Sequence, residues 1–125
     1  MFITEKQACT TEFGVGIRYV IFLTDESDEK GYEVSLEAIS SDIKKYPWLT
    51  GITIAGKEPF DNQEVCLALC KNLPSHMDVM IVTKESYDYI KNTKLFQETT
   101  MTPLRESDLD YFIKKHINNK NEEEV

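Results

Sequence analysis

The chain has 125 residues and a formal net charge of −8, from 22 acidic and 14 basic residues, and this length is typical of one domain. Duplex nucleic acid is bound through clusters of lysine and arginine; the sequence has no such cluster, which argues against direct nucleic-acid binding. No apolar run approaches the roughly 20 residues that cross a bilayer, and the N-terminus lacks a signal-peptide pattern. Three cysteines without a regular spacing fit reduced thiols. We therefore expect a cytoplasmic protein that does not bind a membrane.

The first half of the chain alternates between strand and helix patterns. Phe2, Ile3 and the polar residues that follow them fit a short edge strand. Residues 17–23 are apolar almost throughout and rich in β-branched and aromatic side chains, which predicts a strand buried on both faces, as in a parallel sheet. Arg18, near the start of this strand, is expected to pair with an acid. Ser35 is placed as the N-cap of a helix, and Pro47 ends that helix.

The second half continues the alternation. The predicted elements are a strand over 51–55, a helix from Asp61 or Asn62 to about Asn72, a strand over 78–83, a short helix over 87–91, an ambiguous segment over 94–100 that fits a fourth strand, and a helix over 106–117. Such alternation favours right-handed βαβ units. We predict an α/β fold with a small parallel sheet, or partial (β/α) barrel, of three to four strands. One domain is expected over 1–117, and 118–125 is expected to be a disordered acidic tail.

Two segments carry a resemblance to a known family. Residues 14–23 read Gly-Val-Gly-Ile-Arg-Tyr-Val-Ile-Phe-Leu, and residues 51–60 read Gly-Ile-Thr-Ile-Ala-Gly-Lys-Glu-Pro-Phe. In this order they resemble the radical S-adenosylmethionine (SAM) domain of glycyl-radical-enzyme activases. These include the activating enzymes of pyruvate formate-lyase and of anaerobic ribonucleotide reductase. The resemblance extends over residues 12–92 and implies a truncated radical SAM core.

The resemblance also implies a ligand site. In the family, a Gly-Gly-Glu-Pro loop after the second strand contacts the amino group of SAM, and polar residues at the end of the third strand help to hold the ribose. The matching positions, a vestigial SAM site by this resemblance, are Gly56, Lys57, Glu58, Pro59 and Thr83. Lys57 replaces the second glycine, the residue type that allows close approach of the backbone to a ligand. The lysine is expected either to obstruct the site or to pair with Glu58 or an acid of the loop 25–29.

The same resemblance requires a four-iron four-sulfur cluster, held by a Cys-x3-Cys-x2-Cys loop after the first strand. No cysteine lies between Cys9 and Cys66. The loop carries acids instead, at Asp25, Glu26, Asp28 and Glu29. Thiolates hold such clusters, whereas carboxylates suit magnesium or calcium. We therefore expect no iron–sulfur cluster and no catalytic residue. The acidic loop itself is either a divalent-metal loop or, as we favour, a solvated loop.

The cysteines and histidines each have two interpretations. Cys66 and Cys70 share a helical face at i, i+4. They are metal ligands together with Cys9 or, as we favour, small buried hydrophobes. His76 and His116 are isolated, without a neighbouring nucleophile, and we favour a structural role for both. We therefore assign no metal site.

These observations predict a non-catalytic protein-binding or regulatory module on a degenerate radical-SAM-like scaffold. The expected partner is a protein, either a glycyl radical enzyme or a basic nucleic-acid-binding protein that the acidic chain would inhibit. Two alternatives stay open. One is an atypical SAM-binding activase, and the other is a SAM- or nucleotide-sensing domain.

Overall fold

A computed structural model describes residues 1–111 of the chain. The strands are β1 (Phe2–Thr10), β2 (Arg18–Thr24), β3 (Tyr32–Glu33), β4 (Gly51–Gly56), β5 (Asp78–Val82) and β6 (Thr102–Leu104). The helices are α1 (Leu36–Ile43), α2 (Gln63–Lys71), α3 (Tyr87–Ile90) and α4 (Lys94–Glu98), with a 3-10 turn over Pro59–Asn62 before α2. Residues 106–111 are also helical. Within the described residues the strands form one six-stranded sheet in the order β3-β1-β2-β4-β5-β6.

The predicted α/β fold is confirmed. Strands β2, β4, β5 and β6 are parallel to one another, whereas β1 and β3 are antiparallel additions. The described sheet therefore has more strands than the predicted three to four. The strand expected from Phe2 onward is present, but it is longer than a short edge strand, and Phe2 and Ile3 are paired with β3. β1 continues to Thr10 and lies between β3 and β2.

The prediction that the ambiguous segment 94–100 fits a fourth strand is wrong. It forms helix α4, because the Thr93 side chain accepts a hydrogen bond from the Phe96 N–H at 3.3 Å and caps the first turn. Leu95 is fully buried on the inner side of this helix. The last parallel strand, β6, follows instead, and Pro103 within it lacks the N–H that a further strand would require.

The predicted N-cap is confirmed for α1 but not for α2. The Ser35 hydroxyl accepts from the Ala38 N–H at 3.1 Å, as expected of the N-cap of α1. That helix ends at Ile43, before Pro47. The expected side-chain cap of α2 is absent at Asn62, because the 3-10 turn leads directly into the helix.

One face of the sheet packs against the helices and contains most of the core. Tyr19, Ile21 and Leu23 of β2 share this core with Ile39 of α1 and Leu69 of α2. The Tyr19 hydroxyl donates to an Asp42 carboxylate oxygen at 2.5 Å, and Lys6 of β1 lies 3.3 Å from the same oxygen. The pKa of Tyr19 is raised, mainly by burial and then by the hydrogen bond to Asp42. The same hydrogen bond lowers the pKa of Asp42. Together these contacts attach α1 to the sheet.

Arg18 lies at the amino end of β2 and is fully buried. Its Nε donates to the Thr53 hydroxyl at 2.8 Å, and Nη1 donates to the carbonyl of Val15 at 2.9 Å. Nη2 donates to the carbonyl of Ile52 at 2.6 Å and also binds the Asp78 carboxylate. The predicted ion pair of Arg18 is therefore confirmed. The guanidinium joins β2, β4 and β5 to the loop 11–17.

Several predictions fall on residues outside the described range. They are the end of the helix over 106–117, His116, and the acidic tail over 118–125. Within residues 1–111, no helix is long and apolar enough to cross a membrane.

Candidate ligand site at the carboxyl edge of the sheet

The residues that the resemblance selects lie together at the carboxyl ends of β4 and β5. This is the edge at which open parallel sheets generally bind ligands. Gly56 ends β4, Pro59 begins the 3-10 turn, and Thr83 follows β5. The structure thus brings these positions into contact, because Glu58 and Thr83 are hydrogen-bonded although they are 25 residues apart in the chain.

Gly56 is required by the packing of the backbone. Its φ is +90°, and a Cβ at this position would meet the carbonyl oxygen of Leu23 and lie 2.6 Å from its nitrogen. The next residue, Lys57, donates its N–H to the Leu23 carbonyl at 2.8 Å. The backbone conformation and the close contact with β2 therefore explain why a glycine stands at this position, independently of any ligand.

Lys57 forms an ion pair with Asp25, one of the two arrangements expected for it. The carboxylate of Asp25 also accepts from the N–H and the hydroxyl of Ser27. These bonds, led by the one from Lys57, lower the pKa of Asp25 to about 2, and the pairing raises the pKa of Lys57. The lysine thus links the loop after β2 to the loop after β4.

The second aspartate of the acidic loop, Asp28, is also bound by donors of the chain. Asp28 accepts from the Thr24 hydroxyl at 2.8 Å and from the Lys30 N–H at 2.9 Å, and the hydrogen bond from Thr24 lowers its pKa most. Glu26 and Glu29 point to solvent. Among the described residues no group of three or more histidines, cysteines or acids is arranged to hold a metal ion.

Glu58 is engaged from several directions. Its Oε1 accepts from the Thr83 hydroxyl at 2.7 Å and from the Lys84 N–H at 2.8 Å. Its Oε2 accepts from the Phe60 N–H at 3.1 Å, which caps the 3-10 turn. The carboxylate therefore holds the start of that turn against the end of β5.

Arg105 belongs to this edge, although sequence reasoning did not select it. The Arg105 Nη1 donates to the Thr83 carbonyl at 3.1 Å, and the Thr83 N–H donates to the Leu104 carbonyl at 2.9 Å. Arg105 directly follows β6, so recognition of that strand was the signal that could have identified it.

A pocket of about 220 Å³ remains at this edge. Its lining residues are Gly56, Lys57, Glu58, Val82, Thr83, Lys84 and Glu106. Ligand pockets for drug-sized molecules commonly span about 300–1,000 Å³. A second pocket, of about 230 Å³, lies beside Asp25 and is bounded by Met1, Phe2 and Val65. Neither pocket alone reaches that range.

The cysteines do not fit an iron–sulfur cluster at the expected place. Cys66 is buried in α2 with its Sγ 3.6 Å from the Pro59 carbonyl oxygen, and burial raises its pKa to about 12. Burial also raises the pKa of Cys70 to about 11, and Cys9 is exposed on β1. Cluster ligands are thiolates, so the donors present at the loop 25–31 do not suit the cluster. His76 lies in an exposed turn.

We expect Glu58→Ala to lower the free energy of unfolding by about 2 kcal/mol, because hydrogen bonds to a charged group and a turn cap are lost together. Urea denaturation of Glu58→Ala, Thr83→Val and the double variant measures the coupling, expected at about 1 kcal/mol. Glu106→Ala is the matched control, since Glu106 lines the same pocket but is exposed, and we expect a change within about 0.5 kcal/mol. A Glu58→Ala protein as stable as the wild type would contradict a structural role.

No protein-family model, curated protein or solved structure matches this chain. The likeness to radical SAM activases therefore rests on the sequence motifs described above.

Proposed function

We propose that the protein is a non-catalytic protein-binding module on a scaffold that resembles the radical SAM domain. The observation that carries this proposal is that both carboxylate oxygens of Glu58 accept hydrogen bonds from the chain itself. In the related family the matching acid contacts the amino group of SAM, whereas here the carboxylate accepts from Thr83, Lys84 and Phe60 of its own chain. A ligand amino group would have to displace these bonds, or share oxygens that already serve them.

The loops around Glu58 support the same proposal. Lys57 and Asp25 join the two loops that would flank a ligand. Both aspartates of the loop after β2 are already bound, Asp25 by Ser27 and Lys57 and Asp28 by Thr24. Each contact stabilises the fold and each would oppose a cofactor at this edge. The chain has the sheet but lacks the cysteines that would hold the cluster for the radical SAM reaction. This combination favours a binding role.

A second candidate is a domain that binds SAM or a nucleotide without redox chemistry. It is favoured by the pocket that Gly56, Glu58 and Thr83 line. The small volume of this pocket, about 220 Å³, and the internal use of Glu58 place it behind the protein-binding module.

Anaerobic reconstitution of the full chain with ferrous iron and sulfide tests the non-catalytic assignment. We expect no visible absorption from a cluster and far less than one bound iron per chain. The control is the variant with Cys9→Ser, Cys66→Ala and Cys70→Ser, because iron that binds wild type and variant equally is adventitious. About four irons per chain, lost in the variant, would contradict the proposal, since such clusters are held by cysteine thiolates.

A further inference from the structure

The outer edge of β1 is open along most of its length. β1 has nine residues and lies between β2 and β3 in the sheet. β3 covers only the start of this edge, at Phe2 and Ile3. Within residues 1–111 no other strand pairs with the outer edge. Residues 4–10 of β1 therefore form a free strand edge, which is a template for pairing with a further strand.

The backbone groups of Lys6 point to this open edge. On β2, the Leu23 carbonyl accepts from the Lys57 N–H, on the β4 side of the strand. Because the direction of the backbone hydrogen bonds alternates along a strand, the neighbouring residue Phe22 binds β1, where its partner in the register is Glu5. The N–H and the carbonyl of Lys6, the next residue of β1, therefore point away from β2.

The side chains along this edge alternate between the two faces of the sheet. The Gln7 amide donates to the Glu5 carboxylate at 3.3 Å, which places both on one face. Lys6 lies on the other face, where its Nζ is 3.3 Å from an Asp42 carboxylate oxygen. Residues of a pairing strand lie directly opposite these side chains on the same faces, and like charges directly opposite each other are destabilising. The edge therefore disfavours a strand with an acid opposite Glu5 or a base opposite Lys6.

A second copy of the chain meets these conditions in one register. In a twofold antiparallel pair of identical strands, opposing residues share a face, so one residue lies opposite its own copy. An axis at Glu5 or at Lys6 would place like charges opposite each other. An axis at Gln7 places two neutral amides opposite each other and every charge opposite an uncharged residue. Gln7 is also the middle of the free stretch 4–10, so the same register pairs the whole free edge.

The bulges of β1 limit the strength of such a pair. The register shifts between Ile3 and Glu5 and between Gln7 and Thr10, and edge bulges and charges are devices that restrict pairing. One pair of short strands also buries far less than the about 1,600 Å² of a standard interface. Repulsion between two chains of net charge −8 is screened beyond about 8 Å at physiological ionic strength. The association is therefore weak and depends on the protein concentration.

We infer that the chain forms a weak twofold dimer through antiparallel pairing of β1 with β1 of a second copy, centred on Gln7. In this arrangement the outward N–H and carbonyl of Lys6 in each copy bind the facing backbone of the other copy. The pairing joins the two six-stranded sheets into one continuous sheet. The inference goes beyond the proposed function and does not depend on it.

Cysteine cross-linking of the full chain tests the register. Gln7→Cys and Glu5→Cys are compared in a Cys9→Ser background, and Glu5 is the matched control because it lies on the same face of the same strand. In the proposed dimer the Cα atoms of the two copies of position 7 are about 4.5 Å apart, within the range of a disulfide. The two copies of position 5 are about 14 Å apart. We therefore expect mild oxidation to link Gln7→Cys at least roughly tenfold faster than Glu5→Cys.

Two further results decide between this register and chance contact. With Cys9 restored, Glu5→Cys should also cross-link, because position 5 lies opposite Cys9 of the other copy. Cys66 and Cys70 are unchanged in every variant, so cross-links through them contribute equally. Equal rates at positions 5 and 7 in the Cys9→Ser background, or no cross-link at either position, would overturn the inference.

Sedimentation equilibrium of two variants at Lys6 tests the backbone pairing. Lys6→Pro removes the outward N–H at an edge where proline is tolerated, and Lys6→Ala, its matched control, loses the same side chain but keeps the N–H. We expect wild type and Lys6→Ala to dimerise with a Kd of roughly 0.1 mM, and Lys6→Pro to dimerise at least roughly tenfold more weakly. Circular dichroism verifies that each variant is folded, and the cross-linking comparison stands if Lys6→Pro is not. Equal dimerisation of the two variants would overturn the inference. A wild type that stays monomeric up to about 1 mM would also overturn it and leave the edge to a strand of another protein.

Discussion

Replacement of Arg18 by methionine is expected to lower the free energy of unfolding by about 3 kcal/mol, because the hydrogen bonds of a buried guanidinium to three neutral oxygens are lost. Arg18 is fully buried. Its loss leaves the carbonyls of Val15 and Ile52 without these donors, and an unsatisfied buried polar group costs about 1–3 kcal/mol. Methionine fills part of the volume but donates nothing. Urea denaturation followed by circular dichroism measures the change.

Two further substitutions separate the causes of this effect. Asp78→Asn should lower the stability by only about 1 kcal/mol, because the Asp78 side chain is 59% exposed and exposed pairs contribute little. Arg18→Lys should recover only part of the loss, since one ammonium cannot reproduce the planar set of donors. A decrease below about 1 kcal/mol for Arg18→Met would show that the guanidinium network does not hold the amino edge.

Replacement of Gly56 by alanine should lower the free energy of unfolding by about 3 kcal/mol, from an unfavourable positive φ together with overpacking. The added Cβ would meet backbone atoms of Leu23 on β2, which is paired with β4 along its length. Neither strand can move without disturbing the centre of the sheet.

Gly31→Ala is the control for this substitution. Gly31 does not have a positive φ. The atom that would lie nearest to a Cβ at this position is a methyl carbon of the Thr24 side chain. We expect a loss of about 1 kcal/mol, since the closest contact is a side-chain methyl group and the nearest backbone atom, the Asp28 carbonyl oxygen, lies 3.3 Å away. Equal effects of the two substitutions, measured by thermal and urea unfolding, would contradict the assigned role of Gly56.

The buried parallel strands could be predicted from the sequence, whereas β1 could not be predicted in full. Within β2, residues 19–23 form a continuous apolar run, the pattern of a strand covered on both sides. β1 has register shifts against β2 between Ile3 and Glu5 and between Gln7 and Thr10. Such bulges interrupt the two-residue period on which strand prediction depends. β6 was not predicted, because a strand of three residues is too short to show the alternation of apolar and polar residues that indicates a strand.

The site could be predicted in position but only partly in its contacts. The motif placed Glu58 and Thr83 at the carboxyl edge, and the pairing of Lys57 with an acid of the loop 25–29 was one of the expected arrangements. The partners of Glu58 include backbone N–H groups of Lys84 and Phe60. Every residue except proline has a backbone N–H, so the sequence does not indicate which of these groups binds the carboxylate. The hydrogen bonds of Glu58 within the chain could therefore be identified only from the structure.

Titration calorimetry of the full chain with SAM tests whether the carboxyl edge serves only to hold the fold together or also binds the cofactor of the family that the sequence motifs resemble. We expect no saturable heat for the wild type, because Glu58 and Lys57 are already bound within the chain. Saturable binding with a Kd near 1 μM, equivalent to about −8 kcal/mol, would contradict it.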